Sequence, residues 1–240
     1  MKTKFIALSI LASILALLTA CGKSTVTKQQ LPPPPPNKLQ VWFYGDSMTE
    51  GIGATYTINR WTSKLCSQKK WAEINEGTSY ETLIQASENT GHTSFFAKYQ
   101  KVILPRPANG KYIFIAYGGN DCAFNFPDYT TKLFSTQLQT IITFANSNGW
   151  TNNSIVVLCG YYENEASWKF IYGGVLLDSA ANMARYNSFI TAAQTVANNN
   201  AGVYFVNPFN TYDATGLADG LHANDAGHAA IAKYVASIVP

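Results

Sequence analysis

From Leu39 onward, short apolar runs alternate with longer stretches whose apolar positions recur every three to four residues. The runs at 39–45, 71–76, 111–117, 154–158 and 202–207 predict five strands, each bounded by Gly, Pro or polar residues. The stretches at 59–69, 128–147, 178–199 and 224–238 predict helices, and 80–101 predicts a helix in pieces interrupted at Asn89, Thr90 and Gly91. Trp61 and Leu65, with Ile58 just ahead of them, form the expected inner face of the first helix. Leu133, Leu138, Ile141, Ile142 and Phe144 form that of the second, which Asn148-Gly149 stops. Asn224 is placed to cap the closing helix. Continuous apolar strands alternating with helices predict an α/β fold in three layers, α/β/α, around a five-stranded parallel sheet with right-handed crossovers.

Residues ahead of this pattern have a different character. Lys2 and Lys4 precede an apolar stretch over 5–18 that is too short to span a bilayer, and it ends in Leu18-Thr19-Ala20-Cys21. Small residues before a Cys resemble a bacterial lipobox, which predicts a signal peptide over 1–20 and a lipid anchor on Cys21. An ordinary signal peptide cut near Ala20, or a short membrane anchor, is the alternative. Residues 21–38 are polar, then carry prolines from Pro32 to Pro36, as a stiff extended tether would. Residues 39–240 form the domain. The expected location is the bacterial cell envelope, exported and lipid-anchored on the periplasmic or cell-surface side.

Composition narrows the function classes. With 47% hydrophobic and 13% charged residues, the 240-residue chain can bury a full core. Its formal charge is +3, and +1 without Lys2 and Lys4, which gives no electrostatic case for nucleic acid. Three cysteines remain beyond Cys21: Cys66, Cys122 and Cys159. An exported chain permits one disulfide among them, though spacing does not select a pair, and the apolar run around Cys159 suits a buried thiol. No spacing of His and Cys suggests a metal, and the glycines form no phosphate loop, so no cofactor is expected.

The candidate chemistry gathers at strand ends, where open α/β sheets place their ligands. The first strand runs into Gly45-Asp46-Ser47-Met48-Thr49-Glu50-Gly51, the second ends at Asn75-Glu76-Gly77, and the third runs into Gly118-Gly119-Asn120-Asp121. Asp219-Gly220-Leu221-His222 precedes the closing helix. A serine hydroxyl needs a base to become a nucleophile, and an imidazole titrates near neutrality, so Ser47 and His222 make a natural pair. Asp219, three residues before His222, can accept the other ring N–H and fix the tautomer. Asp46 and Asp121 are expected to bond loop backbone, and Asp225 to complement the dipole of the closing helix. His228 is expected to pack or face solvent, and His92 to decorate the surface.

These four stretches, in this order, resemble the four blocks of the GDSL/SGNH hydrolases, over roughly 39–240. Met48 stands where the family has Leu or Ile, and Ala223 where it often has Pro. The resemblance implies a flavodoxin-like strand order of 2-1-3-4-5 and serine esterase chemistry through an acyl-enzyme. It also implies an oxyanion hole from the backbone N–H of Ser47, the backbone N–H of Gly77 and the side-chain amide of Asn120.

Substrate is less legible. Aromatic and polar residues over 161–176, among them Tyr161, Tyr162 and Trp168, suit stacking against sugar rings, an acyl pocket or the packing of a long loop. Tyr80 is a further candidate for lining the cleft. The expected substrate is a small-molecule or glycan ester, with short acyl groups such as acetyl on carbohydrate foremost. A lipase, lysophospholipase or thioesterase on longer chains is the second reading. A non-catalytic glycan-binding lipoprotein is the third, and it has no need of all four of Ser47, Asp219, His222 and Asn120.

Overall fold

A computed structural model describes residues 37–85, 93–124, 128–161, 179–208 and 210–240. Five strands form one parallel sheet: β1 (Gln40–Gly45), β2 (Ala72–Gly77), β3 (Gly110–Ala116), β4 (Ile155–Leu158) and β5 (Tyr204–Val206), in the order β2-β1-β3-β4-β5. The helices are α1 (Ser47–Glu50), α2 (Trp61–Lys69), α3 (Tyr99–Val102), α4 (Gly119–Ala123), α5 (Thr131–Ser147), α6 (Ser179–Asn198) and α7 (Asp225–Ile238). The expected fold class and strand order are both present.

The period of two along each strand sorts side chains between two cores. Ile113 and Ile115 of β3, with Ile155 and Val157 of β4, pack against α5 and α6 through Phe134, Leu138, Ile141, Phe189 and Ala193. Tyr112, Phe114, Val156 and Leu158 face the other way and pack against α2 and α7 through Trp61, Leu65, Ile231 and Val235. Such two-sided burial is why the strands read as continuous apolar runs. Thr130 caps α5 by accepting the N–H of Leu133, and Asn224 caps α7 by accepting those of Ala226 and Gly227.

The stretch 80–101 departs from expectation. Among its described residues only α3 is helical, beginning at Tyr99. Residues 81–85 instead form an irregular segment, buried over 81–84, in which the amides of Leu83, Ile84 and Gln85 bond to side chains from other elements. Asp121 accepts the N–H groups of Leu83 and Ile84 at 3.0 and 2.7 Å, and Gln137 accepts that of Gln85 at 2.8 Å. Tertiary partners outcompete a local helix for those donors. Ile58 also departs from expectation. It is half exposed in the 3-10 turn Thr57–Asn59, because α2 starts only at Trp61.

The turn at 52–60 is fastened to α7. Asp225 accepts the N–H of Thr55 and the amide of Asn59, each at 2.8 Å, so it binds a loop as well as starting a helix. His228 is fully buried. Its Nε2 donates to the carbonyl of Ile52 at 3.2 Å, and its Nδ1 accepts the N–H of Trp61 at 3.3 Å. Burial pushes this imidazole down to about 4. An unfolded histidine protonates near 6.5, so this group's contribution to stability is full above pH 6.5 and is lost as the pH falls through about 4. Urea unfolding of wild type and His228→Gln should show their stability difference shifting against wild type, by on the order of 3 kcal/mol, between pH 7 and pH 4. Parallel pH curves would contradict the buried neutral imidazole.

Candidate active site

β1 ends at Gly45 and the chain turns at once into the single helical turn α1. Asp46 caps it, accepting the N–H of Met48 at 3.0 Å, and Gly51 closes it at φ 99°, a left-handed conformation that suits glycine. One turn of helix cannot satisfy its own carbonyls, and the fold supplies partners for all four. Gly51 and Ile52 donate to Ser47 O, Trp61 Nε1 donates to Met48 O at 3.0 Å, Asn75 Nδ2 to Thr49 O at 2.7 Å, and Arg60 Nη1 to Glu50 O at 3.3 Å. On the amide side, Met48, Thr49 and Glu50 all donate to Asp46. The N–H of Ser47 meets no acceptor among the described residues.

The Ser47 hydroxyl lies 3.0 Å from His222 Nε2, and His222 Nδ1 lies 2.7 Å from Asp219 Oδ2. These residues are 175 apart in sequence for Ser47 and His222, and three apart for His222 and Asp219. Asp219 also accepts the backbone N–H of His222 at 2.7 Å and of Leu221 at 3.0 Å, which closes the tight turn around Gly220 at φ 87°. Burial raises the Asp219 carboxyl, but its hydrogen bonds from the His222 ring and backbone outweigh that and hold it well below the usual carboxylate range. An ionised carboxylate only accepts, so Nδ1 carries the proton. A neutral ring then leaves Nε2 to accept the Ser47 O–H. The Asp219 side chain is 38% exposed and that of His222 16%, so Asp219 opens to solvent while His222 and Ser47 are both partly buried.

Asn120 lies in the first turn of α4, just after β3, and its Nδ2 donates to the carbonyl of Glu81 at 3.0 Å. An amide nitrogen has two hydrogens, so one remains available. Glu81 is fully buried. It accepts the hydroxyl of Tyr117 at 2.7 Å and pairs with Lys98 at 2.7 Å. Beneath the site, burial raises Asp46 to about 7 and Asp121 to about 6. Both bond backbone amides of turns beside the site, in the structural role expected of them.

Gly77 does not fill its expected role. Its N–H donates to Asn75 Oδ1 at 2.9 Å. A Cβ there would lie 2.3 Å from Glu50 N, so the missing side chain admits the backbone of α1 rather than a substrate. Tyr161 is not a lining residue either. It is 4% exposed and packs in the core with Met48. Tyr80, by contrast, is 65% exposed. Tyr162, Trp168, His92 and Cys21 lie outside the described residues. Cys66, Cys122 and Cys159 are buried, and none forms a disulfide among the described residues. Among the described residues no cluster of three or more His, Cys, Asp or Glu is placed to hold a metal ion. Sequence reasoning passed over Asn75, Glu50 and Glu81. Only the place of Asn75 and Glu81 on either side of Gly77 could have signalled them.

Residues 43–230 match the model of the GDSL-like Lipase/Acylhydrolase family. No curated protein sequence matches the chain. Among solved structures, the chain is similar to the M. smegmatis aryl esterase, with a TM-score of 0.63 at 15% identity over 82% of this chain and 96% of that one. It is similar to a carbohydrate acetylesterase from Sinorhizobium meliloti, with a TM-score of 0.62 at 14% identity over 83% and 97% of the two chains. It also resembles a carbohydrate esterase family 2 enzyme of Corynascus thermopiles (Myceliophthora fergusii) that carries a carbohydrate-binding domain, with a TM-score of 0.63 at 16% identity over 86% and 67%. At these identities the likenesses speak to the fold.

Proposed function

We propose, from the premise that this chain belongs to the GDSL-like lipase/acylhydrolase family and is a carboxylic ester hydrolase, that Ser47 is its nucleophile and that short acyl esters of carbohydrate are its substrates. The observation that carries the reading is the hydrogen-bonded line from Ser47 Oγ through His222 to Asp219. His222 Nε2 takes the hydroxyl proton as Oγ bonds to the acyl carbon, and the carbonyl electron pair moves to the oxygen. Asp219 stabilises the imidazolium that results. Collapse of the tetrahedral adduct breaks the bond to the alcohol oxygen, which leaves with the proton from His222. Water then repeats the cycle on the acyl-enzyme: it gives a proton to His222 and releases the acid and Ser47. The N–H of Ser47 and the free amide hydrogen of Asn120 are donors for the oxyanion.

Two considerations support the acetyl and carbohydrate part. Two of the similar structures are esterases of carbohydrate, and an exposed aromatic ring, Tyr80, stands on the loop that joins the site's elements. Hydrolysis of p-nitrophenyl acetate, octanoate and palmitate by the full chain in detergent, beside Ser47→Ala, tests both levels. Acetate should turn over fastest, and Ser47→Ala should lower turnover by about 10⁴-fold or more. Preference for palmitate would instead favour a lipase reading, since each buried CH₂ adds about 0.8 kcal/mol. Retained activity in the mutant would refute the nucleophile.

The proposal extends to location. Residues 1–20 act as a signal peptide, Cys21 carries the lipid, and 21–38 hold the hydrolase domain off the membrane of the bacterial envelope, where glycan esters are exposed. The sequence Leu18-Thr19-Ala20-Cys21 supports this. Cys21→Ala should move the protein from the membrane fraction to the soluble fraction, and unchanged membrane retention would count against the anchor.

A further inference from the structure

The loop that follows β2 can be accounted for amide by amide, and one group is left over. Gly77 N–H donates to Asn75 Oδ1, Thr78 to Gly45 O, Ser79 to Glu50 Oε2, and Glu81 to Thr78 O. Thr82 donates to Thr93 O, Leu83 and Ile84 to Asp121, and Gln85 to Gln137. Between Gly77 and Gln85 only Tyr80 N–H meets no acceptor among the described residues. Tyr80 is 65% exposed, so among the described residues of this loop its N–H is the one backbone donor open to solvent or to a ligand.

Tyr80 is also one of two non-glycine residues in the left-handed region among the described residues, at φ 64°. A bulky side chain there is disfavoured, and it persists only when its surroundings hold it. The holding contacts are present on both sides. Ser79 bonds Glu50 Oε2 with both its N–H and its hydroxyl, which ties the loop to the helix that begins at Ser47. On the far side, the carbonyl of Glu81 accepts from Asn120 Nδ2, and the Glu81 carboxylate is anchored by Tyr117 and Lys98. Tyr80 therefore stands between the two groups already assigned as oxyanion donors, bonded through one neighbour to each element that carries them.

We infer that the backbone N–H of Tyr80 is the third oxyanion donor, in the place that Gly77 cannot take. This rests on the ester-hydrolase reading above and deepens it. The left-handed backbone leaves the amide outside the loop's internal bonds, and the side chain is exposed. A side-chain variant leaves the N–H in place, so the test is made on the backbone. Tyr80 is replaced in the full chain by its α-hydroxy acid analogue, which exchanges the amide N–H for an ester oxygen and keeps the ring. The same exchange is made at Gly77 with glycolic acid.

With p-nitrophenyl acetate, the exchange at 80 should lower kcat by about 10²-fold or more, with KM within about threefold of wild type. The thermal midpoint should stay near that of wild type, because no folded-state bond is lost. The exchange at 77 removes the bond to Asn75, so it should lower the thermal midpoint with a far smaller fall in kcat. A kcat at 80 within about threefold of wild type overturns the assignment to Tyr80. So does a large loss of kcat at 77 with an unchanged midpoint. Wild type that shows no Ser47-dependent turnover overturns both this assignment and the hydrolase reading, whereas turnover that survives the exchange at 80 overturns the assignment alone.

Discussion

A single turn of helix, Ser47–Glu50, has no hydrogen bonds to spare, and the carboxyl edge of the sheet is organised around that shortage. Four carbonyls emerge from a turn that cannot satisfy them, in a place where water is largely excluded. Trp61, Asn75, Arg60 and the chain following Gly51 each bring a donor. Those four partners come from α2 and its cap, from β2 and from the turn at 51–52. Satisfying one short helix thus locks the first third of the domain around Ser47. The Phe43 and Trp61 rings, in edge contact with centroids 5.3 Å apart, fill the space beneath. The amide left over is the one that a developing oxyanion can use.

The site is built on two different grounds. Below it, Asp46, Asp121 and Glu81 are buried, and their carboxyl oxygens are taken up by backbone amides, Tyr117 and Lys98. Such groups hold turns in fixed geometry because each lost bond would leave a buried polar atom unpaired. Above, Asp219 and His222 stand on a solvent-facing turn, closed by bonds within the turn itself. Gly53 at φ 90° lies so close to the carbonyl of Ala223 and the Cβ of His222 that a side chain there would collide with both.

The sheet was legible because its two-sided burial is written directly into apolar runs, the ends of those runs point to Ser47 and Asn120, and Asp219 and His222 stand just ahead of the closing helix. The segment 80–101 was not. Its backbone bonds go to Asp121 and Gln137, about 37 and 52 residues on, and no local periodicity records such partners. The loop after β2 was located correctly and misread in detail. The Gly77 N–H, an expected oxyanion donor, is bonded to Asn75, and the space where its side chain would stand is occupied by the backbone of Thr49 and Glu50. The left-handed conformation of Tyr80 comes from bonds made by its neighbours, so its own residue type gives no hint of it. Tyr161 misleads for a similar reason, since an aromatic at a strand's end can as well turn into the core as line a cleft.

One measurement bears on all of this most directly: covalent labelling with an organophosphonate, followed by intact-mass and peptide analysis of the full chain. The account requires one phosphonyl group per chain, on the peptide that carries Ser47, with labelling slowed sharply in His222→Ala because the base is gone. A label on any other residue, or none while ester turnover continues, would contradict the claim that the Ser47 hydroxyl is the nucleophile around which this edge of the fold is arranged.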